Sequence, residues 1–420
     1  MSTYHINLHE AIYSLSDALD LVGVTHIHHG KRVAYMAAEC GKRMGWQGQG
    51  LDDLFQAAIL HDCGVSKTVV HSRLLQFEWE LESGHCQIGA DLLDSCALTS
   101  NISPFVRYHH THWEELKDMD LPMQVKLSAN CIFMVDRVDV LSLASLVDQS
   151  NLLLGREHIC EKILEKRGIW FCPELVDAFI ELSRSEAFWL TLENEHLDGY
   201  VSVWLAETPV KAMSFEELRS IVGIFSYIVD AKSSFTKDHS DGVARLARYL
   251  GELMGLAETS CEMLELAGLL HDIGKLRQPD ELLDKPGKLT DEEYLRIKRH
   301  SFDTYSILRN IKGLEQITQW AALHHERVDG SGYPYHLGQG GLPLEARIVA
   351  VADMFQALAQ NRPYRAAMQP DAIMQELRMQ AAEGKIDGGV LDYISDNLDA
   401  CWQQAVHAGV AEKSLRPASP

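Results

Sequence analysis

Ala267-Gly268-Leu269-Leu270-His271-Asp272-Ile273-Gly274-Lys275 is an apolar run that ends in an adjacent histidine and aspartate, followed by a glycine and a lysine. A counterpart stands 210 residues earlier: Ala57-Ala58-Ile59-Leu60-His61-Asp62-Cys63-Gly64-Val65. Working outward from the pair extends the match. His29 precedes the first run and His239 the second by the same interval. His85 and His300, then the pairs His109-His110 and His324-His325, recur 215 residues apart, and Asp136 and Asp353 recur 217 apart. Landmarks in the same order, drifting only by two small insertions, are the mark of a tandem duplication.

The landmarks sit in sequence of helical character. Pro209 to Glu217 reads as a linker and helix start, with Ser214 and Glu217 spaced as a capping box. Thr290 and Glu293 form another, opening a helix that carries His300. Leu314 to His325 is apolar at helical spacing and ends in the histidine pair, and Leu344 to Ala359 is a further helix with Asp353 on it. Pro and Gly cluster from Asp329 to Pro343, which predicts a loop. Any β character is confined to a weak apolar patch at Tyr200 to Leu205. The expected fold is all-α, with two tandem helical domains over residues 1–208 and 209–407 and a frayed tail over 408–420. The stretch from 150 to 210 joins the copies and is expected to pack on the first.

Composition narrows the function. The 420 residues hold 38 Lys and Arg against 60 Asp and Glu, a net charge of −22, and are long enough for two or three domains. Such a charge repels long nucleic acids, so duplex binding is not expected. A small phosphate ligand is compatible with it only where cations gather locally. No stretch reaches the roughly 18 consecutive apolar residues of a membrane helix, and Met1-Ser2-Thr3-Tyr4-His5-Ile6-Asn7 lacks the basic, apolar start of a signal peptide. The nine cysteines are an odd number without a C-x-x-C pair, which suits reduced thiols. The expectation is a cytoplasmic protein that does not enter a membrane.

Twenty histidines are a high share, and their clustering carries the chemistry. His239, His271, Asp272 and Asp353 supply four ligands for one divalent cation. With His300, His324 and His325 added and Asp272 bridging, a second can sit beside the first. Two cations about 3.5–4 Å apart can clamp a phosphoryl group for in-line displacement. Imidazole and carboxylate together suit iron, manganese, nickel or zinc better than magnesium, which prefers oxygen and keeps its waters.

His271-Asp272-Ile273-Gly274-Lys275, followed by His324-His325-Glu326-Arg327-Val328-Asp329-Gly330-Ser331-Gly332-Tyr333-Pro334, resembles the HD-GYP subgroup of the HD phosphohydrolases. Ala352-Asp353 and Asn361-Arg362-Pro363-Tyr364-Arg365 match it as well, so the likeness covers residues 210 to 400. The resemblance implies a bacterial, metal-dependent phosphodiesterase that opens a cyclic dinucleotide, cyclic di-GMP or 3′3′-cyclic GMP–AMP, to the linear 5′-phosphorylated product. The arrangement of two HD units is similar to that of members acting on the latter. It further implies that His239, His271, Asp272, His300, His324, His325 and Asp353 bind two transition-metal ions, chiefly iron, manganese or nickel. Asp272 and Lys275 would be catalytic, and Lys275, Arg362 and Arg365 would hold substrate phosphates. Gly332, Tyr333 and Pro334 would shape the site rim and serve docking, of a second copy or of a signalling protein. Some members hold a third metal through a carboxylate four residues before the first histidine; Phe235 stands there, which predicts two. An HD-type nucleotidase and a non-catalytic signalling module are the rival readings.

The first copy keeps a full ligand set of its own, His29, His61, Asp62, His85, His109, His110 and Asp136, as a candidate N-terminal metal site. Yet Val65 replaces the lysine, and Ser145 and Asp148 stand in place of the two arginines. Thr111-His112-Trp113-Glu114-Glu115 follows the histidine pair without a Gly-Tyr-Pro block. That pattern predicts a degenerate, regulatory or scaffolding HD domain.

Overall fold

The computed structural model describes residues 2–22, 28–67, 84–147, 152–207, 210–233, 238–361 and 365–406. The chain forms two helical units, one of Asn7–Val210, the other running on from Lys211 and including Met1–Ile6.

In the first unit, the Asn7 side chain accepts hydrogen bonds from the backbone N–H groups of His9 and Glu10 and so starts the Leu8–Asp20 helix. Helices His29–Arg43, Gln49–Ile59, Gly84–Asp94 and Met123–Val147 follow. They enclose Val33, Met36, Leu54, Ile59, Leu93, Ile132 and Val135, all buried. The stretch after residue 150 does pack on this core, as helices Leu152–Glu165, Pro173–Leu182, Glu186–Leu190 and Asn194–Glu207. Asn130 ties it down: its Nδ2 donates to Trp170 O at 2.8 Å and its Oδ1 accepts from Cys172 N at 2.7 Å. The apolar patch at Tyr200–Leu205 is helix, not strand. Leu197 and Val201, four apart, are buried while Val203 is exposed, which is a helical period.

In the second unit, strand β1 (Thr3–Ile6) pairs antiparallel with β2 (Lys211–Ser214), Thr3 opposite Ser214 and Ile6 opposite Lys211. This small sheet went unread because each strand is four residues long and the partners lie far apart in sequence. Ser214 then closes the expected capping box with Glu217 and opens helix Phe215–Asp230. Helices His239–Leu253, Glu258–Leu270, Asp291–Leu308, Glu315–Ala322 and Leu344–Ala359 build the domain, closed by three more ending at Val406. The Thr290–Glu293 box starts Asp291–Leu308 as expected. Leu246, Leu250, Leu264, Leu269, Ile317, Ile348 and Phe355 fill the core. At about 1.5–3 kcal/mol for each buried side chain, the core fixes the helices on which the histidines ride.

One helix stops short of expectation. It ends at Ala322, so His324 and His325 lie in a turn. Successive helical residues point about 100° apart, whereas here the two rings come within 4.0 Å and face one place. Among the described residues no helix is long and apolar enough to cross a membrane.

Candidate metal centre

Asp238 precedes His239 in the left-handed conformation at φ 68°, and His28 precedes His29 in the same way at φ 73°. A non-glycine residue there costs about 1–2 kcal/mol, and both units carry it where the first histidine enters. His271 and Asp272 end helix Glu258–Leu270, and the chain tightens into a 3₁₀ turn, Ile273–Arg277. Gly274 makes that turn possible, because a Cβ there would lie 2.0 Å from His300 O. Gly64 does the same in the first unit, 2.1 Å from His85 O. The glycine after the His-Asp pair thus seats the turn against the helix bearing the next histidine.

Asp272 is the hub. Its Oδ2 lies 3.6 Å from His239 Nε2 and 3.3 Å from His271 Nε2. Its Oδ1 lies 3.5 Å from His300 Nε2 and 3.8 Å from His324 Nε2. Asp353 joins the first side, 3.3 Å from His239 and 3.7 Å from His271. The donors therefore form two groups, His239 with His271 and Asp353, and His300 with His324 and His325, each gathered within 4.8 Å. One carboxylate oxygen faces each group.

Backbone carbonyls orient the rings. Nδ1 of His271, His300 and His324 donates to Gly268 O, Ile297 O and Ala321 O at 2.7, 2.5 and 2.6 Å. That turns Nε2 of each inward. His300 Nε2 and His324 Nε2 then face each other at 3.3 Å, about the spacing of two imidazole donors on one tetrahedral ion at roughly 2.0–2.1 Å. His239 Nε2, His271 Nε2 and Asp272 Oδ1 are buried without a hydrogen-bond partner. Such groups are costly to leave unmatched, and divalent cations would match them.

The protonation states agree. Burial holds His300 down to about 4 and His325 to about 3, and it drives His324 well below the usual range. Burial opposes ionisation of Asp272, yet His271 and Lys275 hold its carboxyl well below the ordinary value; His239 and His271 do the same for Asp353. Burial also disfavours a charge on His271, but Asp272 and Asp353 outweigh it and raise the ring to about 10. A cation entering this site must displace that proton.

Lys275 Nζ donates to Asp272 Oδ2. Arg365 is turned elsewhere: it donates to Leu358 O at 3.0 Å and Ala357 O at 2.7 Å, capping the end of helix Leu344–Ala359. Arg362, Phe235 and Asp148 lie outside the described residues. Tyr333 packs its ring 4.8 Å from that of His325, and its N–H donates to His325 O at 3.1 Å. Gly332 admits this fold of the loop, since a Cβ would lie 2.4 Å from Arg327 N. Pro334 follows through a cis peptide bond.

Three contributors escaped the sequence reading. Gln356 Oε1 accepts from His239 Nδ1 at 2.5 Å, which turns His239 Nε2 inward. Glu326 is buried and accepts from the N–H groups of Tyr335 and Leu337 at 2.6 and 2.9 Å, pinning the Gly-Tyr-Pro loop. Lys298 places its ammonium 5.2 Å from the centre of the Tyr333 ring. Gln356 had a signal: it stands three residues, nearly one helical turn, after Asp353.

The first unit repeats the plan. Asp62 Oδ2 lies 3.7 Å from His29 and 3.6 Å from His61, and its Oδ1 lies 3.7 Å from His85. His29, His61 and Asp136 form one group; His85, Cys86, His109 and His110 form the other. Two details differ. Asp139 rather than a glutamine receives His29 Nδ1, at 2.7 Å, and Asp139 is itself held by Arg32. Arg137 donates to Asp136 at 2.7 Å. Val65, where the second unit has Lys275, is buried.

Comparison with known proteins places the chain. HD-domain family models match residues 27–141 and 223–390, spans that contain the two ligand sets. The 3′3′-cGAMP-specific phosphodiesterase 1 of Vibrio cholerae serotype O1 is 38% identical over 408 residues, 96% of this chain and 94% of its own length. The chain belongs to this tandem HD-domain family. Phosphodiesterase 3 of the same organism is 32% identical over 300 residues, 71% of this chain and 64% of the relative. The crystal structure of a V. cholerae cyclic GMP-AMP specific phosphodiesterase shares the tandem HD fold, with TM-score 0.63 and 24% identity over 94% of this chain and 98% of that one. A cyclic di-GMP phosphodiesterase response regulator of Xanthomonas campestris is 40% identical, but over 39% of this chain and 44% of its own.

Proposed function

We propose that this protein is a metal-dependent phosphodiesterase of the bacterial cytoplasm that opens a cyclic dinucleotide, with 3′3′-cyclic GMP–AMP as substrate, in its second unit. The product is the linear dinucleotide bearing a 5′-phosphate. The observation that carries the reading is Asp272, with one oxygen towards each of two donor groups. The substrate assignment leans on the relative that matches both units over nearly its whole length.

Two divalent cations, when bound, supply Lewis acidity at phosphorus and acidify the attacking water. The chain's residues do the rest. His239, His271 and Asp353 would hold one ion and His300, His324 and His325 the other, with Asp272 shared. His300, His324 and His325, kept neutral by burial, and Asp272 and Asp353, kept ionised, present the protonation state that ligation needs, while His271 must first give up its proton. Lys275, whose Nζ donates to Asp272 Oδ2, would supply an ammonium beside the ions to balance a diester anion that the net charge of −22 would otherwise repel. Tyr333, pinned through Gly332 and Glu326, walls the His325 side. The first unit, with Val65 in place of that lysine, serves regulation or support.

Purified chain loaded in turn with manganese, iron and nickel, and given cyclic GMP–AMP, cyclic di-GMP and cyclic di-AMP, tests the reading by product chromatography. Linear 5′-phosphorylated product from cyclic GMP–AMP is expected. No turnover with any of the metals contradicts it. Changing His61 and Asp62 together to Ala should leave hydrolysis in place; its loss from a folded variant would move catalysis to the first unit.

A further inference from the structure

The first unit contains a group that the duplication does not explain. Residue 86 follows the third histidine and is cysteine, where the second unit has Ser301 after His300. Cys86 is 2% exposed, and its Sγ lies 3.5 Å from His85 Nε2 and 4.0 Å from His109 Nε2. His109 Nδ1 donates to Val106 O at 2.6 Å, so its Nε2 lone pair is the atom beside the sulfur. His85, Cys86, His109 and His110 bring one donor atom each within 4.8 Å of the others. Independently, Asp62 Oδ1 lies 3.7 Å from His85 Nε2, buried and without a hydrogen-bond partner.

We propose that Cys86 is a metal ligand, and that His85, Cys86, His109 and His110 form a mixed imidazole–thiolate site for a thiophilic divalent cation. The spacing fits: with Zn–S about 2.3 Å and Zn–N about 2.0–2.1 Å, sulfur and nitrogen on a tetrahedral ion stand about 3.5–3.6 Å apart. On binding, the Cys86 S–H bond breaks, the proton passes to solvent, and the sulfur lone pair forms the metal bond; no electrons are exchanged. The thiolate biases this site towards zinc or ferrous ion, whereas the second unit offers only nitrogen and oxygen in its two donor groups. Val65 leaves the site without the lysine that would neutralise a diester, so the bound ion organises the unit instead of hydrolysing substrate. The inference rests on the first unit alone and is separable from hydrolysis in the second.

Cobalt(II) titrated anaerobically into the metal-free full-length chain reports a sulfur ligand directly. A near-ultraviolet thiolate-to-cobalt charge-transfer band is expected. It should be lost in Cys86→Ser and kept in Cys63→Ser, the neighbouring thiol, which lies 3.6 Å from Gly89 O. A cobalt-loaded wild type without the band, or a band that survives Cys86→Ser, overturns the proposal; Cys86 would then be a thiol resting against His85. Should Cys86→Ser fail to fold, X-ray absorption of the zinc-loaded wild type decides: a sulfur neighbour at about 2.3 Å supports it, and its absence refutes it.

Discussion

Replacing Asp272 by Asn removes the hub while keeping its shape. The side chain is 2% exposed and faces four imidazole nitrogens at 3.3–3.8 Å. Asn offers a neutral oxygen to one donor group and an amide N–H₂ to the other, so it cannot bridge two cations. A unit charge pair about 4 Å apart is worth about 4 kcal/mol at an effective dielectric near 20, and each cation would sit nearer than that. At 1.36 kcal/mol per tenfold, cation affinity should fall about a thousandfold or more. Hydrolysis at fixed metal concentration should fall at least as far. The substitution also removes the chief carboxylate that holds His271 up at about 10, so the ring should titrate nearer its ordinary value. Metal content after loading and desalting, hydrolysis by chromatography and His271 titration by NMR give three readings. A variant that keeps both cations of the second unit and hydrolyses within tenfold of the parent would refute the bridging role.

Gly332→Ala puts a Cβ 2.4 Å from Arg327 N and 2.5 Å from Glu326 Cα, both backbone. Overpacking of about 1–3 kcal/mol should lower Tm and shift Tyr333, raising KM; an unchanged Tm and KM would show that the loop has slack. Gln356→Leu deprives His239 Nδ1 of its acceptor, and cation affinity should drop about 10–100-fold with the fold intact by circular dichroism; unaltered affinity would deny Gln356 an orienting role. Cation loading should release a proton below pH 10, because His271 is raised to about 10 while His300 is lowered to about 4. Affinity should therefore rise about tenfold per pH unit across neutrality, and a pH-independent affinity, or calorimetry showing no proton release, would contradict that charge assignment.

The repeated His-Asp landmarks were legible because ligand chemistry tolerates few residue types and the duplication displayed the pattern twice. The capping boxes at Ser214 and Thr290 were legible because the signal is local. What was missed depends on distance or direction. The β1–β2 pairing joins residues 3 and 214, which no window of sequence relates. The bend that brings His324 and His325 onto one centre interrupts an apolar period that, read alone, continues as helix. Arg365 reads as a phosphate holder by its place in a motif, yet its donors go to helix-end carbonyls. Cys86 is one of nine cysteines with no spacing signal, and only the fold sets His85 and His109 beside it. Glu326 belongs to a legible motif, but its work, accepting two loop N–H groups, shows only in three dimensions.

The most direct test of two cations shared across Asp272 is anomalous diffraction from crystals of the manganese-loaded chain. Two peaks in the second unit are expected, about 3.5–4 Å apart, one against His239, His271 and Asp353 and the other against His300, His324 and His325. A single peak, or cations bound away from Asp272, would contradict it.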